Sequence, residues 1–228
     1  MHQCLVHGRR VRVLAELLAE KVPANSALLD IGCGDGTIAS LIQSAVPSTQ
    51  FEGIEIAPRP ACRIPCRAFD GLCIPFPDES FDVCMLVDVL HHTNNIREIL
   101  AEASRVSRRF ILIKDHLSES PLDFYSLKFM DWIGNRPHGV VLPNNYQSRL
   151  QWDAYFADTQ LSLREWQDQI PIYPFPFSRI FGRKLHFVAL LEKNQQLPEI
   201  GDKASPIAIT SFRSPSGAAG AIPRLSAG

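Results

Sequence analysis

Apolar residues at 11, 14, 15, 17, 18 and 22 recur at close to helical spacing, so a helix is expected over Val11 to Lys21, stopped by Pro23. The period then changes. Residues 27–31 form a short apolar run with one acid, Asp30, and read as a buried strand; helical spacing returns over Thr37 to Ile42. Further strands are expected at 51–55, 64–68, 82–87, 109–114, 161–168 and 185–192, alternating with helices through residue 108. Such alternation implies an α/β fold with a parallel sheet and right-handed crossovers. The run from His186 to Leu191 follows a loop instead of a helix, so this last strand is expected to run antiparallel.

Two stretches break the pattern. Pro58, Pro60 and Pro65 follow the second strand, and proline lacks an amide donor and clashes with the preceding turn, so a loop is expected there. Residues 105–109 (RVSRR) run directly into Phe110-Ile111-Leu112-Ile113, which predicts a tight helix-to-strand connection. An insertion from Ser118 to Gln160 carries Leu122, Phe124, Tyr125, Leu127, Lys128, Phe129, Trp132 and Ile133 as an aromatic-rich helix. A loop marked by glycine and proline follows over 134–146, and Ser148 reads as the N-cap of a helix running to about Ala157. Helix, loop and helix make up the build of a lid over the C-terminal edge of an open α/β sheet, where ligands bind. One domain is expected over residues 1–193, with the lid at about 118–160; residues 194–228, rich in Ser, Pro, Gly and Ala without apolar period, are expected to be a disordered tail.

Chemistry concentrates where the first strand ends. In Leu28-Leu29-Asp30-Ile31-Gly32-Cys33-Gly34-Asp35-Gly36, three alternate glycines allow positive φ and let a ligand approach without meeting a Cβ, and a helix N-terminus with unpaired amides follows. Dinucleotide sites use G-x-G-x-x-G with pyrophosphate on the helix. Here the spacing is G-x-G-x-G, and Asp30 and Asp35 would repel a pyrophosphate, so a nicotinamide-dependent oxidoreductase is disfavoured. The two acids suit a ligand with an ammonium group and no phosphate.

This segment resembles the first motif of the class I S-adenosylmethionine-dependent methyltransferases. Phe51-Glu52-Gly53-Ile54-Glu55-Ile56 fits the second strand, with Glu55 about 20 residues on, where an acid reaches ribose hydroxyls. Ala68-Phe69-Asp70-Gly71-Leu72 resembles the adenine-side segment of that family. Ile74-Pro75-Phe76-Pro77-Asp78-Glu79-Ser80-Phe81-Asp82-Val83, then Val87-Asp88-Val89-Leu90-His91-His92, then Glu98, Ile99, Leu100, Glu102, Arg105 and Val106, resemble the type 11, small-molecule branch. The likeness covers about residues 27 to 115.

What the resemblance implies is a Rossmann-like sheet of seven mainly parallel strands in the order 3-2-1-4-5-7-6. It also implies S-adenosylmethionine as cofactor, S-adenosylhomocysteine as product, and a small organic acceptor. The implied cofactor residues are Asp30, Gly32, Cys33, Gly34, Glu55, Ile56, Asp70, Gly71, Leu72, Val87 and Asp88. Methyl transfer is an in-line displacement in which alignment and a dry cavity count for most, and a base is needed only if the acceptor enters protonated. Candidates for that base are His92, His116, His138 and Tyr146, with His91 and Asp115 beside them; His2, His7 and His186 are expected at the periphery.

Composition narrows this further. Lys+Arg 23 against Asp+Glu 24 leaves no strong field, which disfavours capture of nucleic acid. No run approaches the roughly 18 apolar residues of a membrane span and none has signal-peptide form, so a cytoplasmic protein is expected. Six cysteines, at 4, 33, 62, 66, 73 and 84, are expected as reduced thiols. Cys62, Cys66 and Cys73 as zinc ligands are disfavoured by irregular spacing and the lack of a nearby His, so no metal is expected. The alternatives are a tRNA-nucleoside methyltransferase, since related domains act there, and a non-catalytic methyltransferase-like scaffold. The intact acids and glycines argue against the scaffold.

Overall fold

The computed structural model describes residues 2–135, 143–172 and 184–194. In chain order the elements are α1 (His2–Ala19), β1 (Ala27–Ile31), α2 (Thr37–Ala45), β2 (Gln50–Glu55), β3 (Cys66–Ala68) and β4 (Phe81–Val87). A single 3-10 turn (Leu90–His92) leads to α3 (Ile96–Val106), β5 (Ser107–His116), α4 (Pro121–Asn135), α5 (Arg149–Asp158), β6 (Leu161–Gln167) and β7 (His186–Lys193). The seven strands form one sheet in the order β3-β2-β1-β4-β5-β7-β6. The first five pair parallel, and β7 runs antiparallel to both β5 and β6.

Strand alternation divides the core into two layers. Leu29, Ile31, Cys84, Leu86, Ile111, Ile113, Phe187 and Ala189 pack on one face with α3 and α5. Their neighbours Leu28, Val83, Met85, Leu112 and Val188 pack on the other face with Ala15 and Leu18 of α1 and Ala39 and Ile42 of α2. Successive side chains of a strand point to opposite faces, so both faces of a covered parallel sheet must be apolar. α3 follows the same logic, burying Ile96, Ile99, Leu100, Ala103 and Val106 at helical spacing.

Several expectations shift. α1 begins nine residues before Val11, and β3 is shorter than 64–68: Pro65 accepts Gly53 N–H at 2.8 Å but has no amide to donate to the ladder. No helix lies between β2 and β3, where the prolines stand, and α3 passes straight into β5 at Ser107. Ser148 caps α5 through a reciprocal box with Gln151. α5 is a sheet-packing helix and no lid: Trp152 and Phe156 are buried in the main core, Trp152 edge-on to Phe187 with ring centroids 5.1 Å apart.

Candidate cofactor and acceptor site

The three glycines after β1 do different jobs. All three have positive φ, at +72° for Gly32, +59° for Gly34 and +70° for Gly36. A Cβ on Gly32 would lie 2.6 Å from Val89 Cγ2, and one on Gly36 would lie 2.9 Å from Ile64 Cγ1, so packing within the protein demands glycine at both. Only Gly34 faces open space, with nothing within 4 Å of a built Cβ. The expectation that all three admit a ligand is therefore corrected: Gly34 is the open one. Gly32 and Cys33 amides donate to Ile54 O at 2.8 and 3.2 Å, which locks the turn against the end of β2.

Acids surround this turn. Asp30 is buried, and burial followed by the nearby Glu55 charge pushes its carboxyl up to about 8. Glu55 Oε2 accepts the Gly34 amide at 2.9 Å and Oε1 accepts the Ile56 amide at 2.9 Å. Asp70 Oδ1 accepts the Leu72 and Cys73 amides at 2.8 and 2.7 Å, which holds its exposed carboxyl below the ordinary range. Ile56 and Leu72 are exposed, and a Cβ on Gly71 (φ +85°) would lie 3.0 Å from Ile56 Cδ1, so these residues form an apolar ledge beside the turn. Arg105 pins the segment that follows, donating to the carbonyls of Ile74 and Phe76 and to Glu102 and Asp78.

Half-exposed Val87 ends β4, and Asp88 after it, at φ +57°, is ion-paired with the fully buried Lys114 and with Arg10 at 2.5 Å. Burial opposes its charge, and Lys114 and then Arg10 override that, leaving the carboxyl well below its usual range. Both oxygens thus pair with protein cations.

A second polar centre lies where β4 and β5 end and β7 begins. Asp115, fully buried, accepts Leu90 N–H at 2.8 Å on Oδ2 and His116 N–H at 2.7 Å on Oδ1. His91 Nδ1 lies 2.6 Å from Asp115 Oδ1 and 3.0 Å from His116 Nδ1. Burial disfavours charge on His91, but Asp115 overrides it and raises this imidazole above its ordinary range. His116 goes the other way, pushed down to about 4 by burial and then by the His91 charge. Burial, then His91, also lowers His92, whose buried Nδ1 has no partner among the described residues. The Tyr146 hydroxyl donates to Asp131 Oδ2 at 2.5 Å and is raised by burial and that bond, so it is a donor and not a base.

His186 was expected at the periphery and is not there. It is buried opposite His116 in the β5–β7 register, its Nδ1 3.3 Å from Lys114 Nζ. Lys114 itself escaped the sequence reading, although a lysine inside the apolar strand Phe110-Ile111-Leu112-Ile113-Lys114 is a signal for a buried ion pair. His138 and the side chains of His2 and His7 lie outside the described residues. The aromatic helix α4 is split by burial: Leu127 and Asp131 face inward, packed near Phe124, Met130 and Tyr146, whereas Leu122, Tyr125, Phe129, Trp132 and Ile133 are exposed.

Among the described residues, no helix is long and apolar enough to cross a membrane. Residues 29–109 match the model of a methyltransferase domain. The demethylmenaquinone methyltransferase of Tropheryma whipplei is 35% identical over 94 residues, 37% of this chain and 38% of that protein. The 27-O-demethylrifamycin SV methyltransferase of Amycolatopsis mediterranei is 33% identical over 110 residues, 42% of this chain and 40% of that protein. The chain thus spans about two fifths of the length of these curated relatives. The solved structure of the YcgJ protein of Bacillus subtilis shares the fold, with a TM-score of 0.57 at 18% identity over 80% of this chain and 99% of that one. The chain thus carries a methyltransferase domain over residues 29–109, on a sheet that shares the fold of the YcgJ protein.

Proposed function

We propose that this chain transfers a methyl group from S-adenosylmethionine to a small organic acceptor with an apolar or aromatic body. The observation that carries this reading is the turn at Gly34, open to a ligand and backed by the buried acid Asp30 and by Glu55. These residues fit the cofactor. Asp30 would meet its ammonium group, Glu55 the ribose hydroxyls, the Ile56–Leu72 ledge one face of the adenine, and Asp70 the exocyclic amine. When bound, the cofactor supplies an electrophilic methyl on a sulfonium whose thioether leaves readily.

The chain's own part is alignment and proton handling. The polar centre at the ends of β4 and β5 is the place for the acceptor's reacting atom, and Phe124, Leu127, Met130 and Tyr146 offer an apolar flank for its body. The names of the two curated relatives, a demethylmenaquinone and a rifamycin methyltransferase, support an acceptor of this kind. Asp115 raises His91 and Tyr146 is bound to Asp131, which leaves His92, lowered by burial and with its Nδ1 unpartnered among the described residues, to take a proton from a hydroxyl acceptor. Turnover of labelled S-adenosylmethionine with a panel of phenols and hydroquinones tests this. His92→Ala should lower kcat about 100-fold or more, the usual scale for a positioned base, and leave S-adenosylhomocysteine affinity unchanged. Equal kcat in the variant would refute the role.

A further inference from the structure

Three thiols from separate segments meet beneath the cofactor turn. Cys33 follows β1, Cys62 lies in the proline-rich loop, and Cys66 opens β3. Their sulfurs all lie within 4.8 Å of one another, and Cys33 Sγ and Cys66 Sγ are 3.4 Å apart. Glycines make the room: a Cβ on Gly53, which pairs with Cys66 in the sheet, would lie 2.6 Å from Cys33 Sγ, and one on Gly36 would lie 3.0 Å from Cys62 Sγ. Cys73, which the sequence groups with Cys62 and Cys66, is exposed and absent from this cluster. The third partner comes from the glycine motif, so spacing along the chain could not reveal the group.

From this convergence we propose that Cys33, Cys62 and Cys66 form a trithiolate site for a soft divalent ion, with zinc as the natural occupant and water as the fourth ligand. Zinc takes thiolates at about 2.3 Å in tetrahedral geometry, which sets sulfur–sulfur separations of about 3.8 Å. The 3.4 Å Cys33–Cys66 separation is a few tenths of an ångström from that value and the other pairs lie within 4.8 Å, whereas a disulfide needs about 2.05 Å. Three thiols converge here where a redox pair would use two, which favours a metal. Because the ligands must ionise to bind, zinc uptake releases protons and strengthens as pH rises. The site needs no cofactor or acceptor, so it stands apart from the methyl-transfer reading.

The test is zinc binding by the whole reduced protein. One zinc per chain is expected after dialysis, with X-ray absorption showing three sulfurs at about 2.3 Å and one oxygen. Cys62→Ser and, separately, Cys66→Ser should each weaken zinc at least about 100-fold, since losing even a supporting contact costs 10 to 100-fold; Cys73→Ser should not. Loss of zinc by the wild type on dialysis, a nitrogen- and oxygen-rich spectrum from the Asp88, His91 and His116 group, or equal affinity in Cys62→Ser would each overturn the proposal. The sulfur count on the wild type decides even if a variant fails to fold.

Discussion

The cofactor turn and the polar centre at the ends of β4, β5 and β7 lie at neighbouring strand ends and are built on opposite principles. The turn works through backbone: amides pointed at one acid, an open glycine, and an apolar ledge of exposed side chains. The polar centre works through side chains, with Lys114, Asp115, His91, His116 and His186 all buried and bonded to one another. A backbone site tolerates ligand exchange because its amides are already satisfied. A buried ionic network tolerates little, since removing one member strands the charge of another.

That contrast can be broken most forcefully at Lys114. Lys114→Ala should destabilise the fold by about 3 kcal/mol, as for other broken buried ion pairs, and Lys114→Met with Asp88→Asn should recover much of it. Urea unfolding measures both; a cost below about 1 kcal/mol would mean that Arg10 alone holds Asp88.

The same contrast explains what was legible in the sequence. The turn, Glu55 and Asp70 are each set by a short local pattern, so they can be read from a few consecutive residues. The polar centre is assembled from β4, β5, β7 and α4, and its pairings depend on register, such as His116 opposite His186, which no local period encodes. Asp88 sits in a motif, but its ion pairs could not be read from it, because its partners Arg10 and Lys114 are 78 and 26 residues away. Parallel pairing followed from alternation and strand order from family likeness, whereas the division of α4 into a buried and an exposed face required knowing what lies beneath it.

Within the turn, two glycines sharpen the comparison. Gly32→Ala should cost about 1 to 3 kcal/mol of stability, because the new Cβ meets Val89 as well as an unfavourable φ. Gly34→Ala should cost only about 1 kcal/mol of stability, from backbone conformation, while weakening S-adenosylhomocysteine more than tenfold. Thermal melts and calorimetry on the two variants separate packing from ligand access. Equal effects on both readouts would remove the distinction.

A pH-dependent effect is expected at Asp30. Its carboxyl titrates near 8 in the fold against 3.8 ordinarily, so the folded chain holds a proton that the unfolded chain has lost. Stability from this group is therefore full below about pH 4 and declines as pH rises towards 8. An ammonium group beside Asp30 reverses the preference, so binding at pH 7 should release nearly one proton and tighten with pH up to about 8. Asp30→Asn should abolish that slope; a slope that survives would assign the proton elsewhere.

The account's central claim is that the acid-flanked turn holds the sulfonium cofactor, and titration calorimetry with S-adenosylhomocysteine tests it most directly. One site per chain is expected, weakened by about 1 to 3 kcal/mol in Glu55→Ala through loss of the ribose hydrogen bonds. A folded wild-type protein that binds no S-adenosylhomocysteine, or a Glu55→Ala variant with unchanged affinity, would contradict it.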